Sequence, residues 1–225
     1  MKYLKSLALV VLLSLLAVKP LAAHPHAWIV MNATVQFNDK GLVEGLYFEW
    51  RFDREYSISA VEGLDTNKDG YFSSQELDPL TAENIKALKE YDYFVYARVD
   101  GKKTGYGPIT EYSQYLTNDL LTMSFTIPFA KPVDPRKSKF YFKAYDPTFF
   151  IAMDFQEKAP VTTSGPMPSQ CKIKLKKIAA DEQTKKTKKM LAEKPKNWQP
   201  ADDEDFGALF AQPVVIECAK KTAAK

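Results

Sequence analysis

Chemically versatile side chains are scarce in this chain. Among 225 residues there are two histidines, two cysteines and nine glycines. Both histidines, His24 and His26, stand near the N-terminus, so Ser-His-Asp and Cys-His catalysis have no well-placed base. The few glycines form no phosphate-loop pattern, which excludes a nucleotide-binding enzyme of that kind. Strong charge of either sign is also missing, since 31 Lys plus Arg stand against 28 Asp plus Glu. Lys2, Lys5 and Lys19 account for the whole excess, and from His24 onward the charges balance. A nucleic-acid binder needs a basic footprint that this balance does not supply. What is present is apolar and aromatic content, 45% and 13%. That suffices for a sizeable core in one large domain or two small ones, and it excludes disorder.

A long hydrophobic run is absent as well. Leu7 to Val18 is apolar except for Ser14, well short of the roughly 20 residues that span a bilayer. With Lys2 and Lys5 before it and Ala22-Ala23 after it, residues 1–23 have the layout of a cleaved secretory signal. The expected mature chain is exported to the periplasm, soluble, without a membrane span, and begins at His24. Export favours a disulfide between Cys171 and Cys218 over two buried thiols. Closing that loop contributes about 4 kcal/mol in the chain-entropy model.

Period-two alternation predicts strands over 26–37 and 42–53, joined by the Asn38-Asp39-Lys40-Gly41 turn into a hairpin. Further strands are predicted over 93–100, 120–129, 139–145 and 149–156, then a linker over 160–170. A basic strand over 172–177, a polar helix over about 180–193 and a strand over 213–218 complete the chain. The fold class expected is mainly β: an antiparallel β-sandwich over 24–159 with an EF-hand-like helix-loop-helix inserted at 54–91, and a small α/β extension over 171–225. Lys172 to Lys196 holds ten lysines and three acids. Two readings stand for it: an anionic membrane surface or acidic partner, or a solvated helix face partly balanced by Asp202–Asp205.

The inserted segment carries the sharpest motif. Asp65-Thr66-Asn67-Lys68-Asp69-Gly70-Tyr71-Phe72-Ser73-Ser74-Gln75-Glu76 fits D-x-[DN]-x-[DN]-G-x5-E at every position. Asp65, Asn67 and Asp69 offer side-chain oxygens, Gly70 permits the sharp turn, Tyr71 offers its carbonyl and Ser73 reaches the ion directly or through water. Glu76 closes the sphere with two oxygens, the chemistry of a calcium loop. Phe72 is expected to anchor the loop. The incoming helix is predicted over 54–61, and Pro79 predicts an outgoing helix restarting at Asp78. One loop without a pair suits a weak structural site better than a switch.

His24-Pro25-His26-x-Trp28-Ile29 after a signal segment, Trp50-Arg51-Phe52-Asp53, the acidic loop and Tyr145-Asp146-Pro147 together resemble a bacterial exported family. It is a domain-of-unknown-function family, often described as periplasmic components of an ABC-type transport system. The resemblance covers most of residues 24–160. It implies a periplasmic, metal-related role near transition-metal transport, with a membrane metal transporter as partner.

The N-terminus itself suggests a second metal site. After cleavage, His24 offers an α-amino group and an imidazole, and His26 projects to the same side of an extended segment. If Phe37 pairs with Leu42, His26 falls opposite Asp53, although Glu44 then faces the wrong way and Gly45 is a candidate bulge that would shift the pairing. His24, His26 and Asp53 suit Zn²⁺, Ni²⁺, Co²⁺ or Cu²⁺. The function expected is non-enzymatic transition-metal handling with one structural Ca²⁺. The alternative is a periplasmic adaptor binding a transporter or membrane partner, its metal sites purely structural. A copper oxidase using an N-terminal His is disfavoured because no third histidine exists.

Overall fold

The computed structural model describes residues 25–178, 181–195, 198, 200–201 and 204–219. The expected signal segment and His24 lie outside the described residues. The chain is mainly β and builds two sheets around one core.

Strands β1 (Ala27–Phe37) and β2 (Val43–Phe52) form the predicted hairpin. Their alternation decides their faces: Ile29, Met31, Ala33, Val35, Leu46, Phe48 and Trp50 point inward and are at most 2% exposed. Each Ile, Met, Val, Leu or Phe among them, taken out of water, contributes roughly 1.5–3 kcal/mol. The 54–60 and 74–88 helices, α1 (Arg54–Ala60) and α2 (Ser74–Leu88), follow β2. A 3-10 segment, Lys89–Phe94, leads into β3 (Val95–Val99) and the short β4 (Lys102–Lys103). Next come β5 (Tyr112–Thr117), β6 (Leu120–Val133), β7 (Phe140–Ala144), β8 (Ile151–Phe155) and β9 (Val161–Ser164). The chain ends with β10 (Cys171–Leu175), α3 (Glu182–Ala192), α4 (Gly207–Phe210) and β11 (Val214–Cys218).

The first sheet has the order β5-β6-β2-β1-β8, with β9 also on β1; the second has β10-β11-β7-β3-β4. Phe48 of the first sheet meets Phe142 of the second edge-on at 5.9 Å, and Phe129 of the first meets Phe140 of the second at 5.6 Å. One aromatic core therefore joins the sheets.

Several expectations change. The first sheet is mixed rather than antiparallel, because β8 and β9 both run parallel to β1 along one edge. Residues 160–170, expected as a linker, supply β9, and the C-terminal segment enters the second sheet where β11 pairs with β7. The strand expected from Tyr93 starts at Val95, because Asp92, Tyr93 and Phe94 all adopt positive φ. Lys103 holds that turn by gripping both Asp92 carboxylate oxygens at 2.7 and 2.6 Å. Helix α2 begins at Ser74 rather than Asp78. Ser73 and Glu76 form a capping box, so Pro79 falls inside the helix and removes only its own bond to the preceding turn.

Two further features position the C-terminal part. Asp146, 4% exposed, accepts the Thr148 N–H and hydroxyl and the Ile151 N–H, setting the turn into β8. Gly207 lies so close to Asp146 that a Cβ there would overlap the Asp146 carbonyl oxygen. The expected Cys171–Cys218 disulfide is present and ties β10 to β11.

Candidate functional site

The Asp65–Glu76 loop sits between α1 and α2, which hold it against the main core. Ser57 of α1 is fully buried; its hydroxyl donates to the Asp53 carbonyl at 2.6 Å and accepts the Leu121 N–H at 2.9 Å. Helix α2 turns Leu77, Thr81 and Ile85 inward at helical spacing, and the Thr81 hydroxyl meets Gln114 Oε1 at 3.0 Å. Leu64 just before the loop and Phe72 within its second half pack on the same core.

Within the loop the backbone is bent at two left-handed residues, Lys68 at φ 60° and Gly70 at φ 81°. Nothing lies within 4 Å of a Cβ built at Gly70, so glycine serves there for its conformation and not for space. The bend turns N–H groups onto the donor side chains. Asp65 accepts Asp69 N at 3.2 Å and Gly70 N at 3.0 Å. Asn67 Oδ1 also accepts Asp69 N at 2.9 Å, and Asp69 Oδ1 accepts Tyr71 N at 2.8 Å. Asp65, Asn67 and Asp69 are thus oriented by the loop's own backbone, and the Tyr71 side chain stays out in solvent at 79% exposed.

Glu76 is oriented differently. Its Oε1 accepts the Thr66 N–H at 2.8 Å and hydroxyl at 2.9 Å, while Oε2 accepts the Ser73 N–H at 3.0 Å and hydroxyl at 2.8 Å. These bonds, those from Ser73 foremost, hold its carboxyl down to about 2. The group therefore stays ionised at any ordinary pH. Among the described residues, no three His, Cys, Asp or Glu side chains converge as a metal cluster. Glu76 is turned toward the loop's ends, and closing it over Asp65 and Asp69 requires exchanging its bonds to Thr66. The roles of Thr66 and of Ser73 as a cap are not part of the calcium pattern. Ser73-x-x-Glu76 is nonetheless a readable capping signature.

The N-terminal group is arranged otherwise than the sequence pairing predicts. The Asn38 side chain accepts Lys40 N and Leu42 N, so the turn runs one residue longer and Phe37 pairs with Val43. Glu44 then bulges into solvent, and the pairing resumes at Gln36 with Gly45. Gly45 is required there, since a Cβ would press on Gln36 Oε1 and Ile127 O, both at 2.9 Å. The turn and the bulge each shift the register by one. Asp53 consequently lies beside Trp28, not His26, with its N–H on the Trp28 carbonyl at 2.9 Å. Its Oδ2 accepts Trp28 N at 2.8 Å and its Oδ1 caps α1 through Tyr56 N at 2.9 Å. The His26 ring packs at a tilt on Phe150 with centroids 4.3 Å apart, and its backbone N–H donates to the Phe150 carbonyl.

Sequence comparison adds relatives without assigned activities. A family model described as a protein of unknown function (DUF1007) matches residues 9–218. An uncharacterized protein of Haemophilus influenzae is 27% identical over 197 residues, 87% of this chain and 91% of that protein. An uncharacterized 15.5 kDa protein in the trpE 3' region of Spirochaeta aurantia is 31% identical over 97 residues, 43% of this chain and 69% of its own length.

Proposed function

The chain belongs to the DUF1007 family, and from that premise we propose that it is an exported, non-enzymatic metal-binding protein of the periplasm that assists transition-metal handling and is braced by one structural calcium ion. The observation that carries this reading is the Asp65–Glu76 loop. It supplies Asp65, Asn67, Asp69, the Tyr71 carbonyl and Glu76 in EF-hand order, on a backbone bent at Lys68 and Gly70 so that the first three donors are already oriented. A hard divalent cation recognises such an oxygen set, and three ionised carboxylates favour it further. Binding draws Glu76 from Thr66 toward the loop centre and thereby links the start of α2 to the end of α1. Two sheets sharing one core, with this helix-loop-helix between β2 and β3, support the picture of a sandwich carrying an EF-hand-like insertion.

The transition metal is assigned to the amine and imidazole of His24 together with His26, which directly precedes β1. Asp53 is left out of this ligand set, since its oxygens are engaged by Trp28 and Tyr56. The Cys171–Cys218 disulfide supports a periplasmic location. No helix among the described residues is long and apolar enough to cross a membrane.

Thermal melts in calcium and in chelator test the loop. A weak extracellular-type site, with a Kd of about 0.1–1 mM, contributes about 1.4–2.7 kcal/mol in 10 mM Ca²⁺. That raises Tm by roughly 3–10 °C in a chain of this size. Glu76→Gln should remove most of the rise; identical melts in calcium and chelator would sink the loop as a calcium site. Titration of the processed protein with Zn²⁺, Ni²⁺ and Cu²⁺ beside a His24→Ala, His26→Ala variant tests the second site. Equal affinities for the two proteins would remove it.

A further inference from the structure

The lysine-rich segment is the one sequence feature that metal binding leaves unused. Helix α3 directs Thr187 and Leu191 inward, where Leu191 packs with Phe149 and Ala152. Its other positions present Lys185, Lys186, Lys188 and Lys189, all exposed. Like charges three and four apart on a helix are neighbours and destabilise it, so this face works against the element that carries it. Other lysines of the segment are engaged: Lys174 and Lys176 share Glu217 at 2.5 and 2.7 Å, and Lys194 lies over the Trp198 ring at 4.9 Å. Lys185 pairs with Glu182 at 3.0 Å. Among the described residues, Lys186, Lys188 and Lys189 make no ion pair.

Beside these charges lies exposed apolar surface. Trp28 is 49% exposed, Phe150 38% and Val30 36%. Trp28 and Lys188 line one small cavity together with Phe149 and Phe210, so the helix face and the N-terminal end of β1 are neighbours. Phe150 is joined to that end through its carbonyl, which accepts the His26 N–H at 2.7 Å. Trp28 and Val30 share the outer face of β1, two residues apart along the strand.

We propose that the lysine face of α3 and the Trp28–Phe150 end of the first sheet form a docking surface for an anionic lipid bilayer. The lysines meet headgroup phosphates, and Trp28 enters the interfacial layer where indole rings settle. The exposed indole separates this occupant from an acidic protein. Carboxylates need only the lysines, whereas a half-exposed Trp28 beside a basic face matches the layered chemistry of a bilayer surface, charge outermost and an aromatic belt beneath it. The inference depends on neither cation of the metal reading.

Co-sedimentation with vesicles tests it, using full-length protein recovered after export, its N-terminus read by mass spectrometry. The protein should bind vesicles containing anionic phosphatidylglycerol and ignore neutral phosphatidylcholine vesicles, and 0.5 M NaCl should release it. Each lysine near such a surface contributes about fivefold, so a Lys186→Gln, Lys188→Gln, Lys189→Gln variant should bind about a hundredfold more weakly. Removing those repulsions should not lower its Tm, which separates lost binding from lost folding. A variant with Lys86, Lys102 and Lys131 changed to Gln, three exposed lysines elsewhere, should keep most of the binding. Trp28→Ala should weaken binding further and abolish the blue shift of tryptophan emission on vesicles. Equal binding to neutral vesicles, an equal loss in the scattered control, or no vesicle binding at all would overturn the proposal. Binding to soluble polyglutamate without vesicle binding would replace it with an acidic protein partner.

Discussion

Asp53 offers a sharp test of how a carboxylate beside a candidate metal site is used. Replacing it with Ala removes two interactions. Its Oδ1 caps α1 through Tyr56 N at 2.9 Å, and losing such a cap costs about 1 kcal/mol. Its Oδ2 accepts Trp28 N at 2.8 Å, and a bond to a charged acceptor contributes about 1.5–3 kcal/mol. Asp53 is half-buried and Trp28 exposed, so water can reach the freed amide and the lower end applies. The total is about 2–3 kcal/mol, or a Tm lower by roughly 5–10 °C. Asn is as good a cap as Asp, but its neutral amide cannot serve both N–H groups equally. Asp53→Asn should therefore fall between wild type and Ala. Thermal melts and urea titrations with unchanged m values would measure the series, and zinc titration of the same three proteins completes it. Stability ordered wild type, Asn, Ala with constant zinc affinity is the expected outcome. An Ala variant melting with wild type while zinc affinity collapses would refute the capping argument and make Asp53 a ligand.

Breaking the Cys171–Cys218 bond by a double Ser substitution opens a separation of 47 residues. In the chain-entropy model this costs about 4 kcal/mol, and a loss below about 1 kcal/mol, read from chemical denaturation of oxidised protein and variant, would contradict that origin of the stability. Acid stability should respond to Glu217, whose carboxyl is held down to about 2 by hydrogen bonds from Lys174 and then Lys176. A depressed carboxyl stabilises the fold above its unfolded pKa of about 4.3, and that contribution fades as pH falls toward 2. Glu217→Gln should flatten part of this loss, and 0.5 M NaCl should shrink the difference because the group is exposed. A pH–Tm curve for the variant that parallels wild type between pH 5 and 2 would reject the assignment.

Local pattern alone determined a good deal about this protein. Alternation of apolar and polar residues is a property of each strand by itself, so the β1–β2 hairpin, β6, β7 and β11 were legible from the sequence. That Asp65, Asn67 and Asp69 share one bent loop was legible too, because they lie close together in sequence, whereas the turning of Glu76 onto Thr66 and Ser73 was not. With only two cysteines there was one intramolecular pairing to choose.

Pairing between distant segments was decided by tertiary structure. The hairpin register turned on the Asn38 side-chain bonds and the Glu44 bulge, two one-residue shifts that alternation does not reveal but that carry Asp53 from His26 to Trp28. β5 is an exposed edge strand with Gln114 buried beneath it against Thr81, so its sequence looked polar, and only the β6 edge makes it a strand. β9 likewise exists because β1 has an open edge beyond β8. The parallel run of β8 and β9 follows from the path of the chain between the sheets. The lysine face acquires its neighbour Trp28 by the same means, since residues 160 positions apart meet only when Leu191 docks on Phe149 and Ala152. Strand and helix follow from short-range spacing, but which edge is free, and what lies beside it, depends on where the rest of the chain has packed.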